Sequence, residues 1–254
     1  AEVVAATRRA HARGLRVAAH IDDAADARLC ARAGVDLLAH GVETSRLSDE
    51  DLAVLAAAGL AVEPTLVNWQ RFDDLVTLSF AATKPEVATQ PPALLASFAP
   101  AALSAHRDVL DGSTFKAWGD ALSAHREDRI YNVGAMYRAG IPILVGSDAQ
   151  GSIGTFPGAL HAELRLLVEA GLPVEAVLTA ATRGNALFLE PDANYGAIEL
   201  GRAADLLLVE GNPLEDIRAT EDIIQVWVGG VPVRSTTASP PRPSTTPPPS
   251  APPR

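Results

Sequence analysis

Four polar side chains able to do chemistry occupy corresponding places along this chain of 254 residues. His20, His40, Thr65 and Asp148 each close a short apolar run that opens on a glycine. The runs are Gly14-LRVAA-His20, Gly34-VDLLA-His40, Gly59-LAVEP-Thr65 and Gly140-IPILVGS-Asp148. Imidazole and carboxylate are the ligand types that zinc and similar divalent ions take. Each residue alone has a plain structural use: a histidine can be hydrogen-bonded in place, and Asp148 can cap the segment after it. The set is harder to explain that way, because folding requires no metal-competent side chain at three equivalent positions.

The elements that must position these residues follow from the spacing. Each run is short, apolar and partly β-branched, as a strand buried on both faces is. Ala-rich segments with helical spacing precede them, such as residues 23–33 and 49–58. Ser48-Asp49-Glu50-Asp51 has the form of a capping box, and the glycine that follows each segment stands where a helix needs its C-terminal cap. Helix, glycine, buried strand, polar residue, next helix is the repeating unit of a parallel α/β fold, whose active sites gather at the C-terminal strand ends.

Between Thr65 and Gly140 the repeat is interrupted. Residues 66–122 carry Lys84-Pro85 and Gln90-Pro91-Pro92 between apolar pieces, an excursion long enough for a lid or substrate loop. Residues 121–139 read as one amphipathic helix, and 158–170 and 173–189 as two more. From Gly196 the period changes to short strands at 197–200, 205–210 and 223–228, with a Gly229-Gly230 hairpin into 231–233. The expected organisation is an α/β barrel-type region over 1–190, a small β subdomain over 191–234, and a disordered Pro/Ser/Thr-rich tail over 235–254.

Charge and composition exclude other classes. There are 21 Lys+Arg against 31 Asp+Glu, a formal charge of −10, and no basic run, which argues against nucleic acid as a partner. No apolar stretch reaches the length of a membrane span. The single Cys30 excludes an internal disulfide and a Cys-based zinc site, and fits cytosol or export alike.

Taken in order, these motifs resemble the metal-dependent amidohydrolase superfamily, and within it the imidazolonepropionase-like group. The resemblance is carried by Val17-Ala-Ala-His20, Leu38-Ala-His40-Gly41, Pro64-Thr65-Leu66, the run from Gly140 to Asp148, and His161-Ala-Glu163-Leu164. The stretches 175–186, 196–206 and 211–213 add to it, so it covers about residues 1–233. It implies a (β/α) barrel in which His20 is the strand-five and His40 the strand-six metal ligand. Asp148 becomes the strand-eight ligand and general base. The implied cofactor is a divalent metal, zinc above all, with one or two ions in the complete protein. The implied reaction is hydrolysis of a C–N bond in an amide, cyclic amide or dipeptide of a small-molecule substrate. Thr65 and His161 are placed on the substrate side; His161 and Glu163 are two apart on a helix, so at most one of them faces inward.

The superfamily also places an H-x-H pair on strand one, and this sequence contains no H-x-H. The match begins just before strand five, and the chain opens on Ala1, in what reads as a helix, with its only methionine at Met136. The expectation is therefore a partial barrel, strands five to eight only, that needs its N-terminal half or a homo-oligomer to close. The alternative is a non-catalytic half-barrel that serves assembly or binding.

Overall fold

A computed structural model describes residues 2–105, 114–149 and 154–233. Its centre is a parallel sheet in sequence order: β1 (Ala18–His20), β2 (Leu37–Ala39) and β3 (Ala61–Glu63). The run ending at Asp148 adds to β3 through a parallel bridge between Val62 and Ile143. β2 and β3 stop just before the chain turns into the left-handed region at His40 and Thr65.

Helices α1 (Glu2–His11), α2 (Ala24–Ala33) and α3 (Asp49–Ala58) alternate with these strands. The Ser48–Asp51 capping box forms, with Asp51 N–H donating to Ser48 Oγ at 3.2 Å and Ser48 N–H to Asp51 Oδ2 at 2.9 Å. Gly34 and Gly59 end α2 and α3 at φ of 75° and 70°, a left-handed turn that L side chains enter only with strain. Leu38, Val62, Leu55 and Leu167 are fully buried between sheet and helices.

Three details depart from expectation. β1 is not buried on both faces: Ala18 and His20 are exposed, because among the described residues no strand pairs with its outer edge. The helix expected over 121–139 is two, Thr114–Ala124 and Arg126–Arg138, which break at His125; its ring pairs with Asp128 at 3.1 Å over the new helix start. Residues 197–200 form no strand, and Ile198 and Leu200 face solvent without a neighbouring strand to pair with.

The segment 173–189 is helical throughout but carries a π-turn at Ala180–Gly184. That extra residue brings Asn185 onto the chain at Val145. The side chain of Asn185 accepts Val145 N–H at 3.0 Å and donates to its carbonyl at 2.8 Å, which satisfies backbone groups that a further strand would otherwise take.

The second sheet is antiparallel, β4 (Leu206–Val209), β5 (Ile223–Val228) and β6 (Val231–Pro232). Gly229 and Gly230, both at positive φ, make the hairpin between β5 and β6. A 3-10 turn, Ile217–Glu221, joins this part to helix Leu160–Glu169: Ile217 is buried in the main core and Glu221 pairs with Arg165. The segment 235–254, expected as a disordered tail, and residues 150–153 lie outside the described residues. No helix among those described is long and apolar enough to cross a membrane.

Candidate active site

The polar ends of the parallel strands converge, and their backbones are unusual. Among the described residues four non-glycine residues have positive φ, and three of them are His40 (73°), Thr65 (49°) and Asp148 (47°). An L residue held in this region is strained by about 1–2 kcal/mol, and such strain persists where the surroundings enforce it. Each chain turns off its strand at the candidate residue itself, which directs that side chain across the strand ends.

His20 and His40 meet edge to face with ring centroids 4.7 Å apart. His20 is the more exposed, and its Nε2 lies 3.3 Å from Asp22 Oδ1. His40 is 8% exposed, backed by Trp69 at 5.7 Å. Burial lowers the pKa of His40, and His20 adds to this; Asp148 and Asp22 oppose it. The neutral ring is therefore favoured.

Its tautomer follows from the hydrogen bonds. Thr65 Oγ1 donates to the Pro64 carbonyl at 2.8 Å, which commits the hydroxyl proton. The same oxygen lies 2.5 Å from His40 Nδ1 and, with its own proton turned to Pro64, is left to accept the hydrogen bond there. Nδ1 then carries the hydrogen and Nε2 the lone pair, the arrangement a metal ligand needs. Thr65, expected on the substrate side, thus orients His40.

Asp148 is exposed and accepts from Asn68 Nδ2 at 3.1 Å. Asn68 lies in the first turn of α4 (Leu66–Thr77) and also accepts from Thr155 Oγ1 at 3.3 Å. Glu63, at the end of β3, reaches towards the same strand end. A Cβ on Gly146 would fall 1.5 Å from Glu63 Oε1, so the carboxylate lies in the space that this glycine leaves open. Burial raises its pKa, and the Asp148 charge raises it further.

Two more carboxyl groups are buried nearby. Glu43, three residues after His40, is pushed up to about 9 by burial and then by Asp22, with Arg129 opposing. Glu163 has no exposed surface; burial pushes it up to about 8, against backbone hydrogen bonds from Val67 and Leu66. Glu163 therefore faces the interior, while His161 packs the other way, its Nδ1 3.0 Å from Thr220 Oγ1 beside the second sheet. Burial and the Arg165 charge lower the pKa of His161.

Glu63, Asn68, Glu43 and Asn185 were not among the sequence candidates. The available signal was an acid or amide inside or directly beside an apolar run, as in Gly59-LAVEP.

The donor set fits a divalent cation in part. Two adjacent imidazoles, one with its Nε2 lone pair assigned, suit two ligand positions, and the Asp148 charge acts on His40. Among the described residues, however, no three His, Cys, Asp or Glu side chains gather into one metal-binding cluster.

The amidohydrolase family matches the chain over residues 1–233. Ochratoxinase of Aspergillus niger is 33% identical over 127 residues, which cover 47% of this chain and 25% of the ochratoxinase. Three solved structures share the fold. A Xaa-Pro dipeptidase superposes at a TM-score of 0.67 and 23% identity, over 91% of this chain and 48% of its own. A candidate prolidase from Bifidobacterium longum gives 0.67 and 29%, over 92% and 50%. The A. niger ochratoxinase structure gives 0.63 and 22%, over 94% and 46%. The chain spans about half the length of these solved neighbours, and its aligned 127 residues span a quarter of the ochratoxinase sequence.

Proposed function

Because the chain belongs to the amidohydrolase family, we propose that it forms the strand-five-to-eight half of a metal-dependent (β/α) barrel hydrolase that cleaves C–N bonds. In this reading β1, β2, β3 and the run bridged to β3 at Ile143 would be those four strands. The observation that carries this reading is the His20–His40 pair, with His40 held through Thr65 in its Nδ1–H tautomer.

His20, His40 and Asp148 are the residues that would hold the divalent ion, zinc in the first instance. Such an ion, when bound, lowers the pKa of water from 15.7 to about 7 and so makes a nucleophile available at neutral pH. The chain's residues do the rest. Asp148, exposed and oriented by Asn68, takes a proton from the attacking water and delivers it to the leaving nitrogen. His40 stays neutral through burial, and Trp69 shields its inner side.

The outer edge of β1, which no strand among the described residues pairs with, supports further strands that close the barrel, from an N-terminal half or from a second copy of this chain. The named relatives suggest the substrates to try first: Xaa-Pro dipeptides and ochratoxin.

The purified chain is tested for bound zinc and for hydrolysis of both substrates, beside a His20→Ala, Asp148→Asn double variant. Zinc and turnover in the parent, both lost in the double variant, are expected once the barrel is closed. Zinc retained equally by the parent and the double variant overturns the assignment of His20 and Asp148 as ligands. A second reading, a non-catalytic half-barrel used for assembly, is favoured by the exposed sheet edge; it expects self-association or capture of a partner half with no zinc dependence.

A further inference from the structure

One turn of helix touches both sides of the site. Thr65 stands at the N-cap position of α4 yet makes no side-chain cap: its hydroxyl is turned to His40 and to its own chain at Pro64. Three residues on, Asn68 holds Asp148. The first amides of α4 consequently lack the partner that an N-cap side chain would give.

Glu163 takes that place from helix Leu160–Glu169. Val67 N–H donates to its Oε2 at 2.7 Å, across 96 residues of sequence, and Leu66 N–H also bonds to it. Glu163 is fully buried, and its Oε1 has no hydrogen-bond partner among the described residues, so nothing else fixes the carboxyl group.

We propose that Glu163 is a positioning residue: by capping α4 from a separate helix it releases the Thr65 hydroxyl to orient His40, and it fixes the turn from which Asn68 orients Asp148. This rests on the reading of His40 and Asp148 as site residues. The hydrogen bonds of Glu163 go to the α4 amides, and of the site residues only the Glu63 charge acts on it besides, so its role runs through the backbone of α4. A protonated carboxyl retains the Oε2 acceptor, so the cap works with either charge state.

The test reads the tautomer of His40 in the metal-free full chain, from its ring 15N shifts, together with exchange of the Leu66 and Val67 amides. Glu163→Gln keeps a carbonyl acceptor and is expected to keep one Nδ1–H tautomer and slow exchange. Glu163→Ala is expected to give a mixture of tautomers and fast exchange at both amides. Leu167→Ala, a fully buried position on the same helix, lowers stability but should leave the tautomer alone. If Glu163→Ala does not fold, Glu163→Met fills the volume without an acceptor and carries the same expectation. A single unchanged tautomer in the acceptor-free variant overturns the proposal. So does the same mixture in Leu167→Ala. Neither readout uses turnover, so the proposal can stand if no hydrolysis is found, and can fall while hydrolysis is observed.

Discussion

Thr65 Oγ1 and His40 Nδ1 lie 2.5 Å apart, and the φ of Thr65 itself is 49°. Orientation and strain are thus placed in one residue. Helix formation alone would favour an extended N-cap with its side chain turned back to the helix amides. The observed arrangement gives that up, and the backbone strain is sustained by packing around a residue only 3% exposed.

Stability and function should therefore separate at Thr65. Thr65→Gly relieves the left-handed strain but adds chain entropy to the unfolded state, so the net change in stability is expected within about 1 kcal/mol. It also removes the partner of His40, and losing such a second-layer group lowers metal affinity or activity about 10–100-fold. Thr65→Ser retains the hydroxyl and most of the function. Urea unfolding beside zinc titration of the three proteins checks this; parallel losses in stability and affinity would count against it.

Glu163 makes stability depend on pH. Its pKa in the folded chain is raised from 4.5 to about 8. Between those values folding binds a proton that the unfolded chain does not hold, so stability falls as pH rises. The contribution is complete below about pH 4.5 and is lost as pH climbs through about 8. Glu43, raised to about 9, acts with the same sign. Glu163→Gln cannot titrate, and its stability should fall less steeply between pH 5.5 and 7.5, by up to about 1.4 kcal/mol per pH unit. Unfolding midpoints across that range decide it; identical slopes would show that Glu163 ionises normally.

The repeat was legible because it is local. Glycine, apolar run and polar terminus lie within ten residues, and each glycine tested by a helix end adopts the left-handed turn expected of it. The supporting layer was not legible, because its partners are distant: Glu163 meets Val67 across 96 residues and Asn68 meets Asp148 across 80. Neither contact leaves a periodic trace in the sequence. The π-turn before Asn185 was hidden for a related reason. It precedes an Asn185 side chain that bonds the Val145 backbone 40 residues away, a contact that hydropathy along 173–189 cannot register.

Gly146 is expected to resist even the smallest side chain. An added Cβ would meet Glu63 Oε1 at 1.5 Å and Cδ at 2.5 Å, so Glu63 must leave its position or the strands must part. Gly146→Ala should destabilise by about 1–3 kcal/mol, the usual range for overpacking. Glu63→Ala opens the space, and adding it to Gly146→Ala should recover most of that loss. A double-mutant cycle by urea unfolding measures the coupling. Additive effects would mean that the glycine is required for some other reason.

The excursion after α4 is tied down by a buried ion pair. Arg71 Nη2 donates to Glu86 Oε2 at 2.8 Å, with Arg71 3% and Glu86 0% exposed. Thr83 N–H shares the same oxygen at 2.7 Å, and Arg71 Nη1 also holds the Ala81 carbonyl at 2.8 Å. Glu86→Ala leaves the guanidinium buried with less compensation, a change that typically costs about 3–5 kcal/mol. In a chain of this size that corresponds to a fall of roughly 6–20 °C in Tm. Because Glu86 and Arg71 hold residues 81–86 against α4, limited proteolysis should cut first in that segment. Replacing both partners by apolar residues, Arg71→Met with Glu86→Leu, removes both charges of the pair; Asp74, 3.3 Å from Arg71 Nη1, keeps its bonds from Gln70 and Ser79, and the double variant should destabilise less than Glu86→Ala alone. If the single and double variants melt together below the parent, the guanidinium left by Glu86→Ala carries no penalty of its own and this argument fails.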